Sequence, residues 1–173
     1  YNSLTALNTA PHSPHPIRIT ALEMDRRVVR HAAETLPPHP DDTFDWAATL
    51  QDLYQHGHAQ PLPNQSIQMH WGDARHTITL LPDASVDLIF LDAFSSPRNS
   101  ECWTLHFFQQ IKRVMRPNAQ LFTYAAAGPI RAGLIQAGFH VGETTPVGRP
   151  RSGTQATLNP TLIQQPLPPD THN

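Results

Sequence analysis

Cysteine is almost absent from this 173-residue chain: Cys102 stands alone. That excludes a disulfide framework and a thiolate metal cluster. Charge is sparse as well, with Asp, Glu, Lys and Arg making up 15% of residues. No apolar run approaches the roughly 18–20 residues that a membrane-spanning helix needs. No secretory signal is visible, so a cytoplasmic location with no membrane partner is expected. A Gly-rich loop between a first strand and a first helix is also missing, although phosphate- and nucleoside-binding sheets open that way. The chain begins at Tyr1 rather than Met, on what reads as that first helix. The strand and loop are therefore expected upstream of Tyr1.

Proline, by contrast, is plentiful at 18 residues, and the 11 histidines are scattered. His56-Gly57-His58 is the one tight group. It falls in a polar loop and reads as solvated, so no metal is expected. Formal net charge is −2, but its distribution is uneven. Residues 1–92 hold five Arg against eleven acids, whereas residues 93–169 hold seven cations against two acids. The second half offers a basic flank for an anionic partner.

The length suits one domain with a real core. Residues 1–7 read as a helix, and Ile17–Glu23 alternates apolar and polar residues as a strand does. Helices are expected over 25–34 and 41–54, separated by Pro37, Pro38 and Pro40. A strand follows at 66–71, then a brief helix at 75–81. Val86, Leu88, Ile89, Phe90 and Leu91 form an apolar strand that stops at Asp92. A helix is expected over 101–115, ended by Arg116-Pro117-Asn118, then a strand at 120–124 and a helix at 128–136. Residues 139–144 and 155–158 suit a final strand pair. Alternation of this kind predicts an α/β fold, a Rossmann-like parallel sheet with helices on both faces and an antiparallel last strand. The domain is expected over 1–158, with a Pro-rich flexible tail over 159–173.

Glu23, Asp73 and Asp92 each close an expected strand. Ligands of open parallel sheets sit outside the carboxyl ends of the strands. An acid at the end of the second strand is placed for the two hydroxyls of a ribose. Asp73 is placed to accept from an exocyclic amine of adenine, and Asp92 to hold a cationic centre or an amine. An adenosine bearing a positive charge satisfies all three, and S-adenosylmethionine is such a molecule. The plainer reading is that each acid caps the helix that follows it.

From Asp92 the pattern becomes specific. D-A-F-S-S-P-R-N-S-E-C-W-T, residues 92–104, resembles the D-A/G-F-x-P-x-K-N-P-E-x-W-T segment of the tRNA wobble-uridine methyltransferases. These comprise the methyltransferase module of the bifunctional 5-methylaminomethyl-2-thiouridine biosynthesis protein and its stand-alone relatives. Gly148 to Leu158, G-R-P-R-S-G-T-Q-A-T-L, is similar to the stand-alone form's G-R-x-R-x-G-T-x-A-S-L. Tyr1-Asn2 matches the end of a G-x-G-Y-N loop, Glu23-Met24 the ribose-binding position and Gly72-Asp73-Ala74 the adenine-side turn. Ser96 and Ser100 replace prolines of the motif, and no flavin-binding second domain follows.

The resemblance implies a class I methyltransferase fold and S-adenosyl-L-methionine as cofactor, bound through Tyr1, Asn2, Glu23, Met24, Gly72, Asp73, Ala74 and Asp92. It further implies methyl transfer to the amine of 5-aminomethyl(-2-thio)uridine in tRNA. Asp92 is the expected catalytic carboxylate, orienting the amine and taking its proton. Phe94, Asn99 and Trp103 are candidates for the substrate base, and Arg98, Arg131, Arg149 and Arg151 for phosphates. Lys112, Arg113 and Arg116 are expected to be solvated. Three other readings stay open: a non-catalytic remnant that at most binds RNA, a methyltransferase for small amines, and a dehydrogenase-like nucleotide sheet.

Overall fold

The computed structural model describes residues 2–93, 100–146 and 152–167. The chain forms two compact units, residues 1–77 and 78–173. No helix among the described residues is long and apolar enough to cross a membrane.

The first unit runs α1 (Asn2–Asn8), β1 (Ile17–Glu23), α2 (Arg26–Thr35), α3 (Trp46–His56), β2 (His58–Ala59), β3 (Gln65–Trp71) and α4 (Ala74–Thr77). Its sheet order is β1-β3-β2, with β1 parallel and β2 antiparallel to β3. Alternation along β3 buries Gln65, Ile67 and Met69 against Leu4 and Leu7 of α1 and Leu50 and Leu53 of α3. Gln65 is 1% exposed, and its amide donates to the carbonyls of Leu7 and Ala10 at the frayed end of α1. The expected helix over 41–54 starts later, at Trp46, because Asp45 caps it by accepting from Ala48 N at 2.9 Å. Gly57, at φ 75°, ends it in the left-handed region. The two-residue β2 was expected to be loop.

The second unit holds a 3₁₀ turn (Ile78–Leu80), β4 (Val86–Phe90), a second 3₁₀ turn (Ser100–Trp103), α5 (Leu105–Val114) and β5 (Met115–Thr123). These are followed by α6 (Gly128–Gln136), β6 (His140–Glu143), β7 (Thr154–Thr157), a third 3₁₀ turn (Pro160–Leu162) and β8 (Gln165–Pro166). The sheet order is β4-β5-β7-β6-β8. β4 and β5 are parallel and the other pairs antiparallel. Phe108 of α5 is fully buried and lies 3.0 Å from where a Cβ on Gly133 of α6 would stand.

Two expectations change here. Arg116-Pro117-Asn118 does not separate helix from strand but lies inside β5. The ladder accommodates it by a register shift, with Val86 opposite Met115 but Leu88 opposite Gln120. Proline has no N–H to give a ladder, so it sits where the register breaks. The expected tail is also ordered over part of its length. Gln155, 1% exposed, donates to Leu162 O at 2.9 Å and accepts from Gln164 N at 3.2 Å. These bonds hold the chain down while β8 pairs with β6.

β8 passes so close that a Cβ on Gly142 would lie 2.5 Å from the Gln165 carbonyl oxygen and 2.7 Å from Ile163 Cγ2. Backbone cannot yield as a flexible side chain does. Gly142→Ala is therefore expected to cost about 1–3 kcal/mol in urea unfolding and to expose residues 159–167 to proteolysis. An unchanged midpoint would mean that β8 is loosely held.

Candidate functional site

In the first unit β1 and β3 end level, with Glu23 opposite Trp71. The last bond across them runs from Gly72 N to Glu23 O at 2.9 Å. Gly72 has φ 129°, a conformation that side chains with a Cβ rarely adopt. The turn therefore needs its glycine. The half-buried Glu23 carboxylate accepts from Asp25 N at 2.9 Å through Oε1. Met24, next in the chain, is 67% exposed, unusual for a large apolar side chain. Arg26 stacks its guanidinium 4.8 Å from the centroid of the Trp71 ring. Neither Arg26 nor Trp71 was singled out from the sequence, where nothing links a helix N-terminus to a strand end 45 residues later.

Asp73 sits differently from Glu23. Its two oxygens accept from Arg75 N, Nε and Nη2, and its carbonyl accepts from His76 N and Thr77 N at 2.9 Å. The Arg75 guanidinium and backbone N–H lower the Asp73 pKa to about 2. Asp25 is lowered to about 2 in the same way by Arg27. Here the plainer reading of a strand-end acid holds for Asp73, which braces the start of α4, while α2 is capped by Asp25, two residues past the end of β1. Ala74 begins α4, and Asn2 is exposed at the start of α1.

In the second unit β4 runs out at Phe90, and one further bond, Leu91 N to Phe122 O at 2.9 Å, continues the ladder. Asp92 follows and is exposed. The next anchor is the Ala93 carbonyl, which accepts from the Tyr124 hydroxyl at 2.7 Å. Tyr124 also meets Trp103 edge to face, ring centroids 6.4 Å apart and planes at 83°. Asp92, Trp103 and Tyr124 thus belong to one neighbourhood at the carboxyl ends of two parallel strands. Tyr124 was expected only as a strand terminus. Its signal was its place, one residue past the end of the strand that runs alongside Asp92.

Arg131 is corrected. It was expected to reach phosphate, but it is 7% exposed. Its guanidinium is spent on Glu143 Oε1 at 2.8 Å, Thr154 Oγ1 at 3.1 Å and Gly153 O at 3.3 Å. Lys112, Arg113 and Arg116 are not merely solvated. Lys112 donates to Ala137 O, and Arg113 binds Asp83 and the carbonyls of Ile78 and Leu81. Arg116 grips Asp87 with contacts of 2.8 and 2.7 Å. Tyr1, Phe94, Arg98, Asn99, Arg149 and Arg151 lie outside the described residues. No group of three metal-ligating side chains occurs among the described residues.

A family model described as S-adenosyl-L-methionine-dependent methyltransferase matches residues 45–159. The tRNA 5-methylaminomethyl-2-thiouridine biosynthesis bifunctional protein of Ralstonia nicotianae is 44% identical over 89 residues, covering 50% of this chain and 13% of that protein. The protein of the same description from Paracidovorax citrulli is 28% identical over 160 residues, covering 80% of this chain and 24% of that protein. This chain therefore spans a minor part of the length of these relatives. The crystal structure of MNMC2 from Aquifex aeolicus superposes with a TM-score of 0.65 at 24% identity, covering 97% of this chain and 60% of that one. That likeness establishes the fold: an α/β methyltransferase architecture with mixed sheets.

The Asp73–Arg75 pair has a pH signature. Because its folded-state pKa lies below the ordinary 3.8, the pair stabilises above that value, and the contribution disappears as pH falls through about 2. Arg75→Ala is expected to lower the melting temperature by about 1–3 °C at neutral pH. The two proteins converge as pH falls toward 2. A constant difference across that range would show that Arg75 acts through packing instead.

Proposed function

The chain belongs to the family of S-adenosyl-L-methionine-dependent methyltransferases, and on that premise we propose that it methylates the exocyclic amine of 5-aminomethyluridine, with or without the 2-thio group, at the tRNA wobble position. The names of the Ralstonia and Paracidovorax relatives, tRNA 5-methylaminomethyl-2-thiouridine biosynthesis proteins, support this substrate class. The observation that carries the reading is Asp92, set at the end of β4 between two anchors supplied by β5 and its continuation. In this reading residues 1–158 serve as one methyltransferase domain, in a cytoplasmic setting.

The residues at the ends of β1 and β3 fit the cofactor's nucleoside. The Glu23 carboxylate accepts from Asp25 N through Oε1, which leaves acceptor capacity for ribose hydroxyls. Met24 offers exposed apolar surface for a flat base. Gly72 and Ala74 shape the adenine-side turn. Asp73 has little acceptor capacity left beside Arg75, so it shapes that turn rather than reading the adenine amine. Tyr1 and Asn2 are assigned to the cofactor through the motif they match.

When bound, the cofactor supplies an electrophilic methyl group on a sulfonium that leaves as a neutral thioether. Asp92 accepts a hydrogen bond from the substrate amine, points its lone pair and takes its proton. Trp103, with Phe94 and Asn99, holds the base, and alignment provides much of the remaining rate. Arg98, Arg149 and Arg151 meet phosphates.

The test uses the full reading frame that encodes this chain. Calorimetry should register S-adenosylmethionine binding, and an anticodon stem-loop bearing 5-aminomethyl-2-thiouridine should be methylated. Asp92→Asn is expected to reduce turnover at least about 100-fold with an unchanged melting temperature. Absence of cofactor binding, or full turnover in the variant, would overturn the assignment. Salt gives a separate check. With Lys112, Arg113, Arg116 and Arg131 spent internally, three arginines remain on the basic flank, so the log–log slope of stem-loop affinity should be no steeper than about −3. Replacing Arg149 and Arg151 together with Ala should flatten it by about 1.5–2. A slope near −6 would locate the docking surface elsewhere.

A further inference from the structure

We infer that Tyr124 is a positioning residue for the reaction at Asp92: its hydroxyl fixes the backbone that carries the carboxylate. The inference rests on the proposed methyl transfer to an amine.

Asp92 stands where the β4–β5 ladder gives out. The residue before it is held by the bond from Leu91 N to Phe122 O, at 2.9 Å. The residue after it is held by the bond from Tyr124 Oη to Ala93 O, at 2.7 Å. Both anchors come from the same stretch, two residues apart, so the peptide of Asp92 is pinned on either side to the end of β5 and the residue that follows it. The second anchor replaces with a side chain the bond that the ladder no longer supplies. Burial does not force it: Tyr124 is 38% exposed. The consequence is therefore geometric. Trp103, edge-on to the Tyr124 ring, restricts the rotation that would release the hydroxyl. A base that must meet an amine within hydrogen-bonding distance gains from such a fixed frame.

Tyr124→Phe removes the hydroxyl and keeps the ring. In the full reading frame, with the modified stem-loop as substrate, kcat is expected to fall about tenfold while KM for the stem-loop stays within about twofold. The melting temperature should hold, and hydrogen exchange at the Leu91 amide should speed up about tenfold. Tyr124→Leu should match the Phe variant in kcat. Wild-type kcat in the Phe variant with loss in the Leu variant would assign the role to the ring and overturn the inference. Transfer by the wild type with kcat unchanged in both variants would overturn it alone. Absence of transfer by the wild type would overturn the proposed function and this inference with it.

Discussion

A parallel ladder has to stop, and the backbone groups beyond its last bond need other partners. Much of this chain's polar chemistry answers that constraint. After β1 the N–H groups opening α2 are met by Asp25, and the Asp25 N–H by Glu23. After β3 Asp73 receives the opening of α4. After β4 the Ala93 carbonyl turns to a phenol, that of Tyr124 just past the neighbouring strand. Three acids that look equivalent in the sequence thus stand in three different settings. Glu23 accepts from one backbone N–H, Asp73 is wrapped by a guanidinium, and Asp92 is carried on a peptide held from both sides.

The same economy governs the cations. The excess of positive charge after residue 92 suggests a docking face, but folding spends much of it. Arg131 occupies a buried pocket of hydrogen-bond acceptors, and an unpaired guanidinium there would be costly. Arg113 closes the turn before β4 by taking up the carbonyls of Ile78 and Leu81. Arg116 bridges the irregular start of β5 to Asp87 on β4. The last pair is exposed and worth little as an ion pair. Its geometric role is to hold the register shift that Pro117 imposes. Net charge by segment overstated the surface because it does not see which cations the backbone recruits.

The regular elements were readable where the period of apolar residues matched the element. Ile17–Glu23 and Gly128–Gln136 have the expected bounds. Elsewhere local bonding moved the boundaries. Asp45 caps α3, its oxygen reaching Ala48 N, so the helix starts five residues later than expected. Thr104 caps α5 by accepting from Phe107 N, which leaves Ser100–Trp103 as a tighter turn ahead of it. Residues 160–166 read as a tail because their order comes from Gln155, a polar residue that sequence reasoning places on a surface and the fold buries. In the candidate site the strand ends were readable as positions. What the side chains do there was not, since capping and ligand binding draw on the same residue types.

Asp73 and Asp92 also differ in what they can do for an amine. A base must be able to hold the proton it removes, and efficiency falls as its pKa drops far below the working pH. Arg75 has pushed Asp73 to about 2 and occupies its oxygens, so that carboxylate is a poor proton acceptor and a good brace. Glu23 lies two residues before the cap Asp25 and accepts from that cap's N–H, and in the proposed reading its remaining acceptor capacity goes to the ribose. In the proposed reaction proton acceptance falls to Asp92, and the residue after it is held by the Tyr124 phenol. The Tyr124 bond reaches the Ala93 carbonyl, so it fixes the peptide beside the carboxylate rather than gripping a carboxylate as Arg75 grips Asp73.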